Sequence, residues 1–185
     1  DATKEQSALD MAAEAVKQAG RIDIMVNCVG IGAGAKDGET PFDTFNRVMA
    51  VNIHGIYNCC IAVGEEMIKQ GHGTIVNMGS LSTTVVPEKT RPGRGGEYGL
   101  MGYCTAKGGV KMLTKAIAAL WAPYGVRCNC VSPGYVDTPL TAVPHSNPEI
   151  RAKMESGISL GYIAQPDDIV GPMLFLLTDE AHYIT

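Results

Sequence analysis

The 185 residues contain no two cysteines at Cys-x-x-Cys spacing, no stretch where lysine and arginine accumulate, and no apolar run approaching the length of a bilayer. Each absence removes a class of function. The six cysteines (Cys28, Cys59, Cys60, Cys104, Cys128, Cys130) lie mostly within apolar or strand-like stretches, so neither a zinc site nor a redox dithiol is expected, and they read as reduced core thiols of a cytoplasmic protein. Acids and bases are scattered, giving a net charge of -4 and an isoelectric point near 5.5, which leaves nothing to grip a phosphate backbone and argues against a nucleic-acid partner. A leading basic segment followed by an apolar run is also missing, so the chain reads as soluble, with no membrane partner. Internal repeats, low-complexity tracts and linkers are likewise absent. With 45% hydrophobic residues, the length suits one core and a single domain over 1–185.

What is present alternates between two periods. Ala8, Leu9, Ala12, Ala15 and Val16 recur at helical spacing over 4–18, with Gly20 where a helix ends. Residues 22–29 form a short apolar run rich in branched side chains, as in a strand buried on both faces. Thr40-Pro41-Phe42-Asp43 places a capping hydroxyl, a proline at the first helical position and a carboxylate in the first turn, opening a helix expected to run to about Lys69. A strand over 74–78 follows Gly71-His72-Gly73. Prolines and glycines mark 83–99 as loop, a helix is expected over 101–122, a strand over 126–131, and helices over 148–156 and 166–177. Such alternation predicts an α/β fold, a doubly wound parallel sheet between two helical layers.

Tyr103-Cys-Thr-Ala-Lys107 carries the chemistry. Side chains four apart on a helix share a face, so the Lys107 ammonium can stand beside the Tyr103 phenol and is expected to bring its pKa down toward working pH. A tyrosine so placed can give or take a proton. Gly102, Ala106, Gly108 and Gly109 keep this helix small-sided, which permits close approach of a ligand or helix.

Four further segments in fixed order complete a pattern. Ile24-Met-Val-Asn27-Cys28-Val29-Gly30, Val51-Asn52-Ile53, Ile75-Val-Asn77-Met-Gly-Ser80 and the Tyr-Lys segment are followed by Val131-Ser-Pro133-Gly134-Tyr135-Val136-Asp137-Thr138-Pro139. Together these resemble the short-chain dehydrogenase/reductase family along essentially the whole chain. The resemblance implies a Rossmann-like domain with Ser80, Tyr103, Lys107 and Asn52 as catalytic residues. Ser80 would hold the substrate oxygen and Asn52 a water relaying protons toward Lys107. It implies NAD or NADP as cofactor, held by Asp1 at the adenine end, by Asn27 and Gly30 at the strand end, by Tyr103 and Lys107 at the nicotinamide ribose, and by Pro133, Gly134, Val136 and Thr138 around the nicotinamide and pyrophosphate.

Departures from that pattern are few. Cys28 and Val29 stand where the family has asparagine and alanine, Leu120-Trp121 replaces Glu-Leu, and the serine-to-tyrosine interval is longer, which leaves Ser82 as the alternative to Ser80. Against the family pattern the chain begins after the first strand and glycine-rich turn and stops before the last strand, so the sheet is expected to be partial at both ends. Gly30-Ile-Gly32-Ala-Gly34-Ala35 fits a nucleotide-binding spacing, but the next helix opens only at Pro41 and no acid stands about twenty positions on, so it reads as a glycine loop beside the cofactor. The segment 82–102, with Arg91, Arg94, Glu97, Tyr98 and Met101, is expected to wall the substrate pocket, with 140–161 as a lid. Its polar character points to a small-molecule sugar, polyol or similar hydroxylated substrate, oxidised at a secondary alcohol. The alternatives are a 3-oxoacyl thioester reductase and a binding or regulatory protein without turnover. The helices over 41–69 and 101–122 are apolar on more than one face, which together with the resemblance implies a homo-oligomer, a tetramer or dimer.

Overall fold

The computed structural model describes residues 1–87, 95–142 and 146–185. Helix α1 (Glu5–Ala19) ends where Gly20, in the left-handed conformation, donates its N–H to the Val16 carbonyl. Strand β1 (Ile24–Asn27) follows and is shorter than the apolar run that predicted it. Helix α2 (Pro41–Met49) opens with a capping box in which Thr40 and Asp43 satisfy each other's backbone N–H. A π-helical segment (Ala50–Gly55) then leads without a break into α3 (Ile56–Gln70), so the single helix expected over 41–69 is two α-helices joined by a wider turn.

Strand β2 (Gly73–Met78), helix α4 (Gly95–Trp121), strand β3 (Val126–Val131), α5 (Pro148–Ser156) and α6 (Pro166–Leu177) complete the chain. Helix α4 starts within the stretch expected to be loop. Local propensity argued against helix at Gly95, Gly96 and Gly99, but packing overrides it, since Gly102 lies against Phe45 of α2 and a side chain at Gly99 would collide with the Ala33 carbonyl. Pro92, Arg91 and Arg94 lie outside the described residues.

Among the described residues the three strands form one parallel sheet in the order β1-β2-β3, with Asn27, Asn77 and Cys130 in register. Helices α1, α3 and α4 cover one face and enclose a core of Ala8, Ile56, Met67, Ile75, Val110 and Cys128. Helix α6 packs on β2 and β3 from the other side, giving the expected α/β/α layering, while Ile24 and Val26 on that side of β1 stay about half exposed. The Trp121 ring occupies the space a side chain would need at Gly64 and so locks α4 onto α3.

Two buried asparagines tie helices to strands. Asn27 donates to the Ile56 carbonyl at 3.1 Å, and Asn77 donates to Thr114 at 3.0 Å, whose hydroxyl donates to Val110 O at 2.8 Å. On the opposite layer Arg127 donates to the carbonyls of Leu176, Ile184 and Thr178 at 3.0, 3.1 and 3.2 Å. Replacing Arg127 by leucine removes one donor from each of three carbonyls, but each keeps a second, from Thr74 Oγ1 (to Leu176), Asn129 Nδ2 (to Ile184) and the Ala181 N–H (to Thr178). We expect a loss of about 1–2 kcal/mol, read as a melting temperature lower by about 2–6 °C.

Candidate active site

In a parallel sheet all strands point the same way, so the loops leaving their carboxyl ends gather at one edge. Here the loops after Asn27, Met78 and Val131 meet there and are stitched together: Gly79 N–H donates to Val131 O at 2.7 Å and Leu81 N–H to Pro133 O at 2.8 Å. Ser80 and Gly30 are thereby brought toward α4, which carries Tyr103 and Lys107.

The Ser80 side chain lies beside the Tyr103 phenol and acts on it in the direction that favours the phenolate. Ser80 Oγ accepts from the Ser82 N–H at 3.2 Å, while Ser82 itself is buried, so the geometry selects Ser80 of the two serines. Lys107 is 3% exposed; its ammonium donates to Met78 O at 2.8 Å and stands 5.8 Å from the centre of the Tyr103 ring. Gly30 completes the cluster, because a Cβ there would come within 3.0 Å of Asn52 Oδ1 and 3.7 Å of Lys107 Nζ. Only a glycine lets the loop lie this close to both.

Asn52, fully buried in the π-helical segment, grips that loop. Its Oδ1 accepts from Ile31 N–H at 3.2 Å, and its Nδ2 donates to Ile31 O at 3.1 Å and Val48 O at 3.0 Å. Both amide donors are used, and one acceptor lone pair remains.

The expected lowering of the Tyr103 pKa is corrected by the structure. Burial pushes the phenol up, and this outweighs the adjacent Ser80 side chain, which lowers it. The same burial pushes Lys107 down to about 8, opposed by the nearby Cys130 and Cys28 thiols. Removing both groups from water disfavours each charged form, an effect that spacing along a helix does not contain.

Other expected cofactor residues are placed as follows. Asn27 is buried with its side chain on α3, so only its backbone reaches the strand end. Asp1 is exposed and accepts from Thr3, beside an Ala2 that packs against Gly55 in company with Val29. Val136 pairs with Ala164, Thr138 is held by Thr141, and Gly134 has open space around it. Asp137 receives Arg151 at 3.0 Å, which fastens α5 to this loop. Helix α2 opens only at Pro41, so the glycine loop presents no helix N-terminus, as expected.

The residues fit a nicotinamide nucleotide. Lys107 brings three donors to the edge, of which one has a described acceptor, and the Pro133–Thr138 loop offers backbone groups beside the open space at Gly134.

A family model described as enoyl-(acyl carrier protein) reductase matches residues 1–185. The chain belongs to the short-chain dehydrogenase/reductase family. It is 36% identical over 186 residues to an L-rhamnose 1-dehydrogenase (NAD(P)(+)) of Sphingomonas sp. (strain SKA58), covering all of this chain and 69% of that one. It is 37% identical over 185 residues to a galactitol 2-dehydrogenase (L-tagatose-forming) of Cereibacter sphaeroides, again 69% of that protein. A gluconate 5-dehydrogenase from Burkholderia cenocepacia J2315, solved with NADP and tartrate, superimposes with a TM-score of 0.87 at 30% identity over the whole chain and 69% of its own. No helix among the described residues is long and apolar enough to cross a membrane.

Sequence reasoning missed one feature of this edge. Glu39 and Arg47 form a shielded ion pair under the glycine loop, 2.5 Å from Nε to Oε1. Its only trace in the sequence is one acid and one base on either side of a capping box.

Proposed function

We propose that this protein is an NAD(P)-dependent oxidoreductase that interconverts a secondary alcohol of a sugar, polyol or similar hydroxylated molecule with the corresponding ketone. The observation that carries this reading is the convergence of the Ser80 and Tyr103 hydroxyls with the buried Lys107 at the carboxyl edge of the sheet. Bound NAD or NADP supplies the hydride acceptor or donor. Ser80 holds the substrate oxygen within reach of Tyr103. In oxidation the Tyr103 phenolate takes the alcohol proton and becomes the phenol, and in reduction the phenol gives that proton to the forming alkoxide. Lys107, in its ammonium form, stabilises the phenolate that forms and donates to ribose hydroxyls. Asn52 keeps one acceptor position for a water that passes the proton outward. Asp1, Asn27, Gly30, Pro133, Gly134, Val136 and Thr138 line the cofactor path.

The unit is a single domain, and it works in the cytoplasm as a homotetramer or homodimer. Support for assembly comes from the exposed Phe42, Tyr57, Met101, Met112 and Leu120 on the long helices.

A second reading, reduction of 3-oxoacyl thioesters, is favoured by a 34% identity over 175 residues to an acetoacetyl-CoA reductase of Allochromatium vinosum, covering 95% of this chain and 66% of that one. The two separate in one experiment. The protein is given NAD or NADP with a panel of polyols and aldonic acids, and separately NADPH or NADH with acetoacetyl thioester, while nicotinamide absorbance is followed. Turnover of the polyols is expected. Turnover of the thioester alone would transfer the assignment, and silence on both would favour a protein that binds without reacting.

A further inference from the structure

The glycine loop is held at both ends. At its start Asn52 grips the Ile31 backbone from both sides. At its far end Glu39 accepts from Arg47 Nε and Nη2 at 2.5 and 2.8 Å, from Lys36 N–H at 2.9 Å and from Thr44 Oγ1 at 3.1 Å. Arg47 Nη2 also donates to Gly34 O at 2.7 Å. The two side chains are 20% and 15% exposed, unlike a surface ion pair that water and salt would weaken. Between these anchors the Ala33 carbonyl presses on Gly99, one turn before Tyr103 and on the same face of α4, and Gly32 approaches Leu140, where a Cβ would be 3.5 Å away.

We infer that Glu39 and Arg47 are positioning residues for substrate: their ion pair clamps residues 31–39 as a strap against α4, and this strap forms a fixed wall between Tyr103 and Leu140. The inference rests on the proposed dehydrogenase reading. The clamp touches no reacting atom and acts through the loop it holds. Arg47 holds the Glu39 carboxyl down at about 2, so the clamp stays ionised through the working pH range. Lysine at position 47 would keep the charge but lose the two-pronged contact and the reach to Gly34.

The test compares wild type with Arg47→Gln, Arg47→Lys and the exchange Glu39→Arg with Arg47→Glu. The polyol KM, kcat, pH profile and reduced-cofactor Kd are measured for each, together with tryptic cleavage after the exposed Lys36. In Arg47→Gln we expect a polyol KM raised about 10-fold or more, kcat within about 3-fold and unchanged kinetic pKa values. Cofactor Kd should be unchanged and cleavage faster. Arg47→Lys should fall between, and the exchange should recover part of the KM. A melting temperature that drops while KM and cleavage stay put would overturn the inference, as would kcat falling with KM unmoved. Should wild type reduce only the thioester, the dehydrogenase reading fails and the strap is scored on thioester KM. Should wild type be silent on both, unchanged cleavage in Arg47→Gln overturns the strap and faster cleavage upholds the clamp.

Discussion

Replacing Tyr103 by phenylalanine is expected to lower kcat by about 10²- to 10⁴-fold while leaving the fold and cofactor affinity in place. The substitution keeps the ring, its packing and its contact with Lys107, and removes only the hydroxyl that meets Ser80. In the oxidative direction the alcohol proton then has no acceptor at hydrogen-bond distance; in the reductive direction the forming alkoxide has no donor. The raised pKa keeps the phenol protonated and ready to donate, so a variant without it loses the reductive direction as fully as the oxidative one. The measurement is kcat with a polyol and NAD(P), beside reduced-cofactor fluorescence for binding and a thermal melt for folding. A Tyr103→Phe protein within twofold of wild type would remove Tyr103 from the chemistry.

Lys107→Met should move stability and activity in opposite directions. The Lys107 pKa falls from 10.5 unfolded to about 8 folded, so between these values the unfolded chain binds the extra proton and stability rises with pH. Below pH 8 the folded protein carries the full cost of a buried ammonium, about 3 kcal/mol. Methionine fills similar space without that charge but orphans the Met78 carbonyl, at about 1–2 kcal/mol. A net gain of about 1–2 kcal/mol at pH 7 follows, raising the melting temperature by about 2–6 °C; above pH 8 this advantage shrinks by about 1.4 kcal/mol per pH unit, vanishes at about pH 9 and is reversed by about pH 10.5. Turnover should fall at least about 100-fold, because the charge that steadies the Tyr103 phenolate is gone. Melts at pH 7 and pH 10.5 beside kcat check both arms. A variant less stable than wild type at pH 7 would show that the ammonium is better solvated by its surroundings than its burial implies.

The parts of this molecule legible in the sequence are those fixed by short-range chemistry. Thr40 and Asp43 announced the start of α2 because a capping box is a local hydrogen-bond exchange, and Tyr103 and Lys107 announced the site because four residues make about one helical turn. The early part of α4 was illegible because Gly99 and Gly102 answer to what presses on them from α2 and the strap. The pKa directions were hidden because burial is a property of the whole fold. The resemblance implied Asn52 as a water anchor, but its grip on Ile31, a contact 21 residues back in the chain, has no local signal in the sequence. The apolar character on several faces of 41–69 pointed to a partner subunit, but part of it is used within the chain, since α2 packs on α4 while α3 packs on α1 and the sheet.

That division of labour depends on the wider turn at Ala50–Gly55. In a helix of 3.6 residues per turn each added residue rotates everything after it by about 100°. Upstream, Thr44 and Val48 are the buried positions; downstream, Ile56, Cys60, Val63 and Met67 are. Removing any one residue between them would swing one half off its partner by more than a quarter of a turn, however well the replacement sequence favoured helix. The length of this segment, more than its composition, is therefore what the fold reads: it sets the phase between the half of the rod that braces the tyrosine helix and the half that closes the core.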